Sequence, residues 1–261
     1  MTTSIMKTNK RIKKAIYTTL AILFWIALWH IVARRINLTL ILPTPSDTLK
    51  VIFSLAGEGE FWQICLSSVR TIFLGALSGI VLGALVAVIS YFSEPLKYLF
   101  SPLMSLVKAT PIVSFIILFL IWIGRDKIPF YISLMMVVPI VSSNILKGLE
   151  SIDRDLVEAI RVYRLPFSKA FKLLYRHSLM PYILSALQSA VALSWKAGIA
   201  SEVLCSPAGT LGTMLSESQI YLETPTLFAY TVVTVVISVI LEKIVVTISS
   251  HTMGGKDDDR A

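Results

Sequence analysis

Residues 128–200 read IPFYISLMMVVPIVSSNILKGLESIDRDLVEAIRVYRLPFSKAFKLLYRHSLMPYILSALQSAVALSWKAGIA, and this stretch decides the fold. An apolar segment, residues 128–146, is followed by a charged loop, residues 147–177, and by a second apolar segment, residues 180–200. The loop carries seven Lys or Arg and four Asp or Glu residues in a chain that is only 15% charged. Apolar segments of spanning length form helices in lipid, because a helix satisfies its own backbone hydrogen bonds. The stretch therefore predicts two membrane helices joined by a water-facing loop.

The same apolar character runs through the rest of the chain. Of the 261 residues, 55% are hydrophobic, and the mean hydropathy of +0.76 excludes a soluble domain with an ordinary polar surface. These runs are too long for barrel strands, so we expect an all-α integral membrane protein with about six transmembrane helices. Six apolar segments are of spanning or near-spanning length: residues 15–33, 72–91, 99–123, 128–146, 180–200 and 226–248.

The sequence predicts one membrane domain, residues 15–248, between two polar ends. Residues 1–14 form a basic N-terminus, and residues 249–261 are expected to be a flexible tail. Sixteen Lys or Arg residues fall on the side of the membrane that holds both ends and the charged loop, against six on the other side. Because cytoplasmic loops carry the excess of basic residues, both termini and the loop are predicted to face the cytoplasm.

Several classes of site find no support in the sequence. Cys65 and Cys205 are far apart and lack the spacing of a metal, redox or disulfide pair. His30, His177 and His251 lie in separate regions, so no catalytic set and no metal site is expected. The net charge of +8 is clustered beside apolar segments and is not interleaved with aromatic residues, which argues against nucleic acid as a partner.

A short surface helix is predicted after the first apolar segment. Pro43 and Pro45 hold the backbone extended, and Ser46 or Asp47 is expected to cap a helix that runs to about Leu55. Its apolar positions suit a helix lying along the outer membrane surface.

Three glycines recur every four residues in the second apolar segment. Gly75, Gly79 and Gly83 share one helix face and allow another helix to approach closely. We interpret them as helix-packing residues.

Lys108 and Pro111 mark the third apolar segment as unusual. Proline cannot donate a backbone hydrogen bond and leaves a carbonyl near Val107 unpaired, which favours a local break that faces a cavity. An ionisable residue in a span is by default a functional candidate. The alternative is that Lys108 extends from its helix to the inner membrane interface.

The fifth apolar segment contains Lys196 and ends near Glu202. Six residues on a helix separate the two by about 240° and about 9 Å, so they cannot pair along one face. Each needs a partner on another helix, or water. Two interpretations stay open for both residues: a place on a translocation path, or structural pairing.

A weakly polar, turn-forming stretch follows, residues 206–212. Together with Glu217 and Glu223 it is interpreted as a re-entrant or gate-like element near the outer face.

The charged loop itself predicts two short helices. Asp153 is expected to cap the first helix, Leu165-Pro166 ends it, and Ser168 begins the second. Two helices that meet at a proline form a compact elbow on the cytoplasmic surface. From the residues alone, the elbow either binds a partner or rests on lipid.

In the order and spacing of these motifs, the chain resembles the permease subunit of a bacterial ATP-binding-cassette importer, in the nitrate, sulfonate and taurine branch. Such permeases carry a cytoplasmic signature that begins Glu-Ala-Ala, has a glycine four residues after the second alanine, and ends Ile-x-Leu-Pro. Glu158-Ala159-Ile160 matches its opening, and Leu174 stands at the isoleucine position. The chain departs from the signature with Arg164 at the glycine and Arg176-His177 at Leu-Pro. The resemblance covers roughly residues 15–245.

The resemblance implies the type I importer permease fold with a coupling-helix loop. It implies a permease that pairs with a second copy, binds two ATP-binding subunits and receives a small solute from an external binding protein. Charged contacts would come from Glu158 and Arg161, while Ala159, Val162 and Tyr163 would pack. The ATPase-docking residues would be Glu158, Ala159, Ile160, Arg161, Tyr163, Arg164 and Pro166. The translocation path would include Lys108, Pro111, Lys196 and Glu202.

No Walker sequence Gly-x4-Gly-Lys-Ser/Thr is present in the chain. The chain is therefore not expected to be an enzyme or to bind a cofactor itself, and ATP and magnesium would bind to the partner subunits. The alternative from another class is a secondary transporter or channel that works without ATP, with Glu202 and Lys196 as proton or ion sites.

Overall fold

The computed structural model describes the backbone of residues 2–153, 155, 158, 162–163, 166 and 176–254. Side chains are described over the same residues except 2–12, 14–15, 176–177 and 248–254. Within this part of the chain every regular element is a helix, which confirms the expected all-α fold.

The helices of the described residues follow one another through short connections, except that residues 151–175 separate the helix ending at Glu150 from the helix beginning at Arg176. They are α1 (Thr2–Ile36), α2 (Pro45–Ala56), α3 (Gly59–Phe92), α4 (Glu94–Ala109), α5 (Ile112–Trp122), α6 (Ile128–Glu150), α7 (Arg176–Cys205), α8 (Leu211–Ile220) and α9 (Thr224–Gly254). A single 3₁₀ turn, Arg125–Lys127, precedes α6.

Five helices in the described residues are long and apolar enough to cross a membrane, and the number is six if α4 and α5 count as one broken span. The five are Ile16–Ile36, Gly59–Phe92, Arg125–Glu150, Ser178–Cys205 and Thr224–Thr247. The third apolar segment, residues 99–123, is divided between two helices, because α4 and α5 meet at an angle of 104°. Pro111 stands at this break, where its missing N–H and its ring prevent a continuous helix.

Helix α3 begins at Gly59, well before the predicted start at residue 72. Its 34 residues span about 51 Å, which exceeds the roughly 30 Å of the hydrocarbon layer. The early part was missed because it mixes polar and apolar residues. Its buried positions nevertheless recur with helical spacing, at Phe61, Ile64, Cys65 and Ser68.

Helices extend into both polar ends of the chain. Helix α1 starts at Thr2 and so includes most of the basic N-terminus. Helix α9 continues to Gly254, into the stretch expected to be a flexible tail. Residues 255–261 of that tail lie outside the described residues.

Two compact units can be described separately. The first comprises residues 1–61 and 217–233. In it, Trp29 links the end of α1 to the following loop, because its Nε1–H donates to the Pro43 carbonyl at 3.1 Å. The Trp29 ring also packs on Phe228 of α9, with ring centroids 5.8 Å apart.

Helix α2 in this unit is capped by Thr44, two to three residues earlier than the predicted Ser46 or Asp47. The Thr44 hydroxyl accepts from the Asp47 N–H and donates to the Asp47 carboxylate at 2.7 Å. This hydrogen bond, helped by Lys50, holds the pKa of Asp47 below its ordinary value. Pro45 occupies the first turn, where a missing N–H is tolerated.

The second unit comprises residues 62–216 and 234–261, and α6 runs through its core. One buried cluster joins Ala76 of α3, Val137 and Val141 of α6, and Ala186 and Ala190 of α7. Small residues on α3 and α7 thus face branched residues on α6. This arrangement brings three helix backbones close together, as membrane helices need for van der Waals packing.

The three glycines of α3 face α6. A Cβ added at Gly79 would lie 2.7 Å from the Leu134 carbonyl oxygen and 2.8 Å from the Cβ of Val137. One turn on, a Cβ at Gly83 would lie 2.8 Å from the Val138 carbonyl oxygen. Real Cβ atoms do not approach this closely, so each of these positions requires a glycine.

We predict that Gly79→Ala destabilises the protein by about 1–3 kcal/mol, because the added methyl overlaps backbone and cannot be relieved by a side-chain rotation. Thermal unfolding of the purified protein in detergent measures the change. Gly124→Ala is the matched control, since nothing lies within 4 Å of its added Cβ. Equal melting temperatures for Gly79→Ala and the unaltered protein would contradict the close packing.

Candidate functional site

The predicted charged loop, residues 147–177, starts within the last turn of α6, and a local cap follows at Asp153. The carboxylate of Asp153 accepts a hydrogen bond from the Asp155 N–H at 2.9 Å, as the predicted capping role requires. Farther along, Val162 and Tyr163 are each 77% exposed, and Glu158 and Pro166 are also exposed. Large apolar side chains exposed on a charged loop are available to a partner surface.

The remaining docking residues lie outside the described residues. They are Ala159, Ile160, Arg161 and Arg164. The side chains of Arg176 and His177, where the signature departs from its usual form, are also outside the described side chains. The docking role of all these residues stays a prediction.

An ion pair joins two helices at the base of the loop. Lys97, near the start of α4, pairs with Glu150, the last residue of α6. Both side chains are about half exposed, so the pair contributes at most about 1 kcal/mol. Its main structural effect is to connect the first turn of α4 to the end of α6, where the charged loop starts.

The break between α4 and α5 leaves Lys108 in the last turn of α4, with its side chain exposed. A cation at this end of a helix interacts favourably with the helix dipole. The Thr110 hydroxyl donates to the Leu106 carbonyl at 2.8 Å, and the same carbonyl accepts from the Thr110 N–H at 3.0 Å, so Thr110 closes the last turn of α4. The expected local break is therefore present, with Lys108 and Pro111 on its two sides.

Lys196 lies on α7 between two buried residues. Trp195 is buried, and its Nε1–H donates to the Thr234 carbonyl of α9 at 3.1 Å. Ala197 is buried in a cluster with Ile116, Ile132 and other residues of α5 and α6. The side chain of Lys196 is exposed on the opposite face of α7, where this chain does not cover it.

Glu202, near the end of α7, is fully buried. Its Oε2 atom accepts a hydrogen bond from the Ser68 hydroxyl of α3 at 2.8 Å. The same atom accepts from the Gly212 N–H at the start of α8, at 3.1 Å. The other oxygen, Oε1, is buried and has no hydrogen-bond partner in the described residues. Lys196 and Glu202 thus lie on different faces of α7.

Ser68 completes this arrangement, which we call the Glu202 cluster: Ser68, Glu202, Leu211 and Gly212. The Ser68 hydroxyl donates to Glu202 and accepts from the Leu211 N–H at 2.8 Å. The first two N–H groups of α8 are therefore bound by side chains of α3 and α7. A Cβ added at Gly212 would lie 2.5 Å from the Val203 N atom, so only glycine allows this approach.

Sequence reasoning missed Ser68 and Thr234 as partners of the fifth span. A carboxylate in a span signals that a partner exists, but a single sequence does not identify it, because Ser68 is 134 positions away. Cys65 and Cys205 are buried free thiols. Among the described residues, no three His, Cys, Asp or Glu side chains are grouped as a metal site would require.

Comparison with known proteins identifies the family. Residues 79–252, two thirds of the chain, match the family described as binding-protein-dependent transport system inner membrane component. The taurine transport system permease protein of Escherichia coli (strain K12) is 24% identical, over 86% of this chain and 83% of the relative. The nitrate import permease protein of Leptolyngbya laminosa is 25% identical, over 77% of this chain and 75% of the relative.

A third relative is an Escherichia coli (strain K12) permease protein named for aliphatic sulfonates transport. It is 27% identical over 71% of each chain. The family match, the multi-pass helical fold and these relatives agree with the resemblance seen in the sequence. The chain therefore belongs to the binding-protein-dependent permeases of the inner membrane, with the type I importer permease fold, in the branch that contains permeases named for nitrate, sulfonates and taurine.

Proposed function

We propose that this chain is the membrane-spanning subunit of an ATP-binding-cassette importer. It forms the translocation path for a small solute such as a sulfonate, taurine or nitrate, which an external binding protein delivers. Two ATP-binding subunits bind its cytoplasmic face, where both termini and the charged loop lie. ATP and magnesium bind to those subunits and not to this chain.

The observation that carries the proposal is the exposed set on the charged loop. Glu158, Val162 and Tyr163 are exposed in a loop between two membrane helices, and Glu158 opens the family signature. An exposed carboxylate beside exposed apolar side chains suits a protein groove better than lipid, because lipid would not bind the carboxylate. The ion pair between Lys97 and Glu150 connects the base of this loop to α4.

A second copy of the chain completes the path. None of the residues of α4 is buried in the single chain, and its apolar residues Leu99, Leu103 and Leu106 are exposed. Lys108 and Lys196 are exposed as well, on helices α4 and α7. These surfaces support a path between two copies in which Lys108, Pro111 and Lys196 face the solute. Glu202 is enclosed by protein and is assigned a different role below.

Transport proceeds by alternating access. Closure of the ATP-binding subunits moves the charged loops, and the loops turn the helix bundles so that the path opens to one side and then to the other. Such a shift requires contacts that differ between the two states. The broken α4–α5 segment, with its 104° bend, supplies a point at which backbone geometry can change.

Uptake tests the proposal. In proteoliposomes that contain the complex with its ATP-binding subunits, we expect uptake of taurine, ethanesulfonate or nitrate only with internal ATP and the external binding protein. Uptake is measured with each solute in turn, and a complex without ATP is the control. Uptake that persists without ATP and collapses with an uncoupler would instead establish the secondary transporter.

Charge reversal at the loop tests the docking site. We predict that Glu158→Lys leaves the protein in the membrane but abolishes uptake. A groove that receives a carboxylate carries positive charge, and this charge repels a lysine. Ala159→Asp is expected to have the same effect. Asp155→Lys is the matched control, with the same charge change three residues earlier on the exposed segment. Normal uptake by a correctly inserted Glu158→Lys protein would refute the docking role.

Neutralising Lys196 tests the path. For an anionic solute we predict that Lys196→Met raises the half-saturation constant about tenfold, the effect of losing about 1.4 kcal/mol of charge attraction. Uptake kinetics measure it, and Lys243→Met, an exposed lysine on α9, is the matched control. If the half-saturation constant and maximal rate are both unchanged, Lys196 does not face the solute.

A further inference from the structure

We propose that Glu202 is a positioning residue, whose carboxylate holds the N-terminal turn of α8 against α3 and α7 and does not meet the solute. The expected effect on transport rests on the proposed function, whereas the contacts that position α8 do not depend on it. The Glu202 cluster brings together residues from three helices of one compact unit.

The first turn of α8 needs hydrogen-bond acceptors from outside the helix. The first N–H groups of a helix have no partner within the helix. In α8 these are Leu211, Gly212 and Thr213, and each one is bound by a side chain. Leu211 donates to Ser68, Gly212 to Glu202 and Thr213 to the Thr210 hydroxyl at 3.4 Å. Only the last partner is local, so two of the three come from other helices.

Close packing at Gly212 leaves no room for a side chain. Gly212 lets the first turn of α8 lie directly on the backbone of α7, since any Cβ there would overlap Glu202 and Val203. Groups packed this closely exclude water from the Gly212 N–H. This N–H therefore needs a hydrogen-bond acceptor from the protein. A carboxylate is well suited, because negative charge is favoured at a helix N-terminus.

Local hydrogen bonds fix the connection between α7 and α8. Ser206 and Gly209 adopt left-handed backbone conformations, with φ of 47° and 67°. The Ser206 N–H donates to the Glu202 carbonyl at 2.8 Å, and the Thr210 hydroxyl donates to the Pro207 carbonyl at 3.1 Å. Together with the Glu202 cluster, these bonds make α3, the end of α7 and the start of α8 one body. During alternating access this body moves as a unit.

The unpaired oxygen of Glu202 gives the inference its sharpest test. Only Oε2 is used by the described residues, and Oε1 has no donor. A glutamine can place its carbonyl oxygen where Oε2 lies and its amide group where Oε1 lies. A positioning role therefore survives Glu202→Gln, whereas an ion, proton or solute contact does not.

The experiment measures amide hydrogen exchange and uptake on the same variants. In the purified protein, Glu202→Ala and Ser68→Ala are expected to speed exchange at Leu211 and Gly212 by about tenfold, since each removes an acceptor from a buried N–H. Glu202→Gln leaves exchange unchanged. Glu217→Ala, which removes an exposed carboxylate from the same helix, is the control. If the Glu202→Ala protein does not accumulate in the membrane, the exchange rates of Ser68→Ala decide the exchange experiment.

Uptake uses whichever of taurine, ethanesulfonate and nitrate the unaltered complex imports fastest. Glu202→Gln is expected to stay within about twofold of the unaltered rate, and Glu202→Ala to lose about tenfold in maximal rate at an unchanged half-saturation constant. Glutamine as defective as alanine, or unaltered exchange in both alanine variants, would overturn the positioning role. Failure of the unaltered complex to import any solute would refute the transport proposal alone, because exchange needs neither solute nor ATP.

Discussion

The close approach of α3 to α6 is the constraint on which the second unit depends. Helices in lipid gain no hydrophobic energy by associating, so their contact must come from dense packing of small residues. Gly75, Gly79 and Gly83 supply it, because no side chain larger than hydrogen fits between α3 and the α6 backbone. Gly198 of α7 also packs closely, since its added Cβ would lie 2.5 Å from a side-chain atom of Ile72 in α3. The three helices therefore form a rigid core.

This core determines where polar groups can lie. Ser133 of α6, packed beside Gly198, is fully buried and donates to the Ser194 carbonyl of α7. Glu202 is held at the end of α7, where Ser68 and the α8 backbone reach it. Residues outside the core, such as Lys108 and Lys196, are exposed instead. Buried polar groups thus maintain the structure, while exposed charged groups remain available for transport and for partners.

Sequence reasoning succeeded where a pattern lies within one segment. The glycine spacing on α3, the break near Pro111, and the Glu158-Ala159-Ile160 signature are all local, so the helix faces, the bend and the family were predictable. It failed at boundaries. Helix α3 starts at Gly59 because helical propagation tolerates polar residues that lower an apolar average. The N-cap of helix α2 is Thr44 because its hydroxyl, and not that of Ser46, accepts a hydrogen bond from the Asp47 N–H.

By itself, the sequence determined the membrane class, the helical architecture, the family and the position of the charged loop, because composition, periodicity and a local motif carry that information. Only the tertiary structure decided which partners the ionisable residues of the spans find. Glu202 and Lys196 are six positions apart, yet one is enclosed by Ser68 and Gly212 and the other is exposed. The difference arises because burial depends on which helices pack against each face, and those helices are distant in sequence.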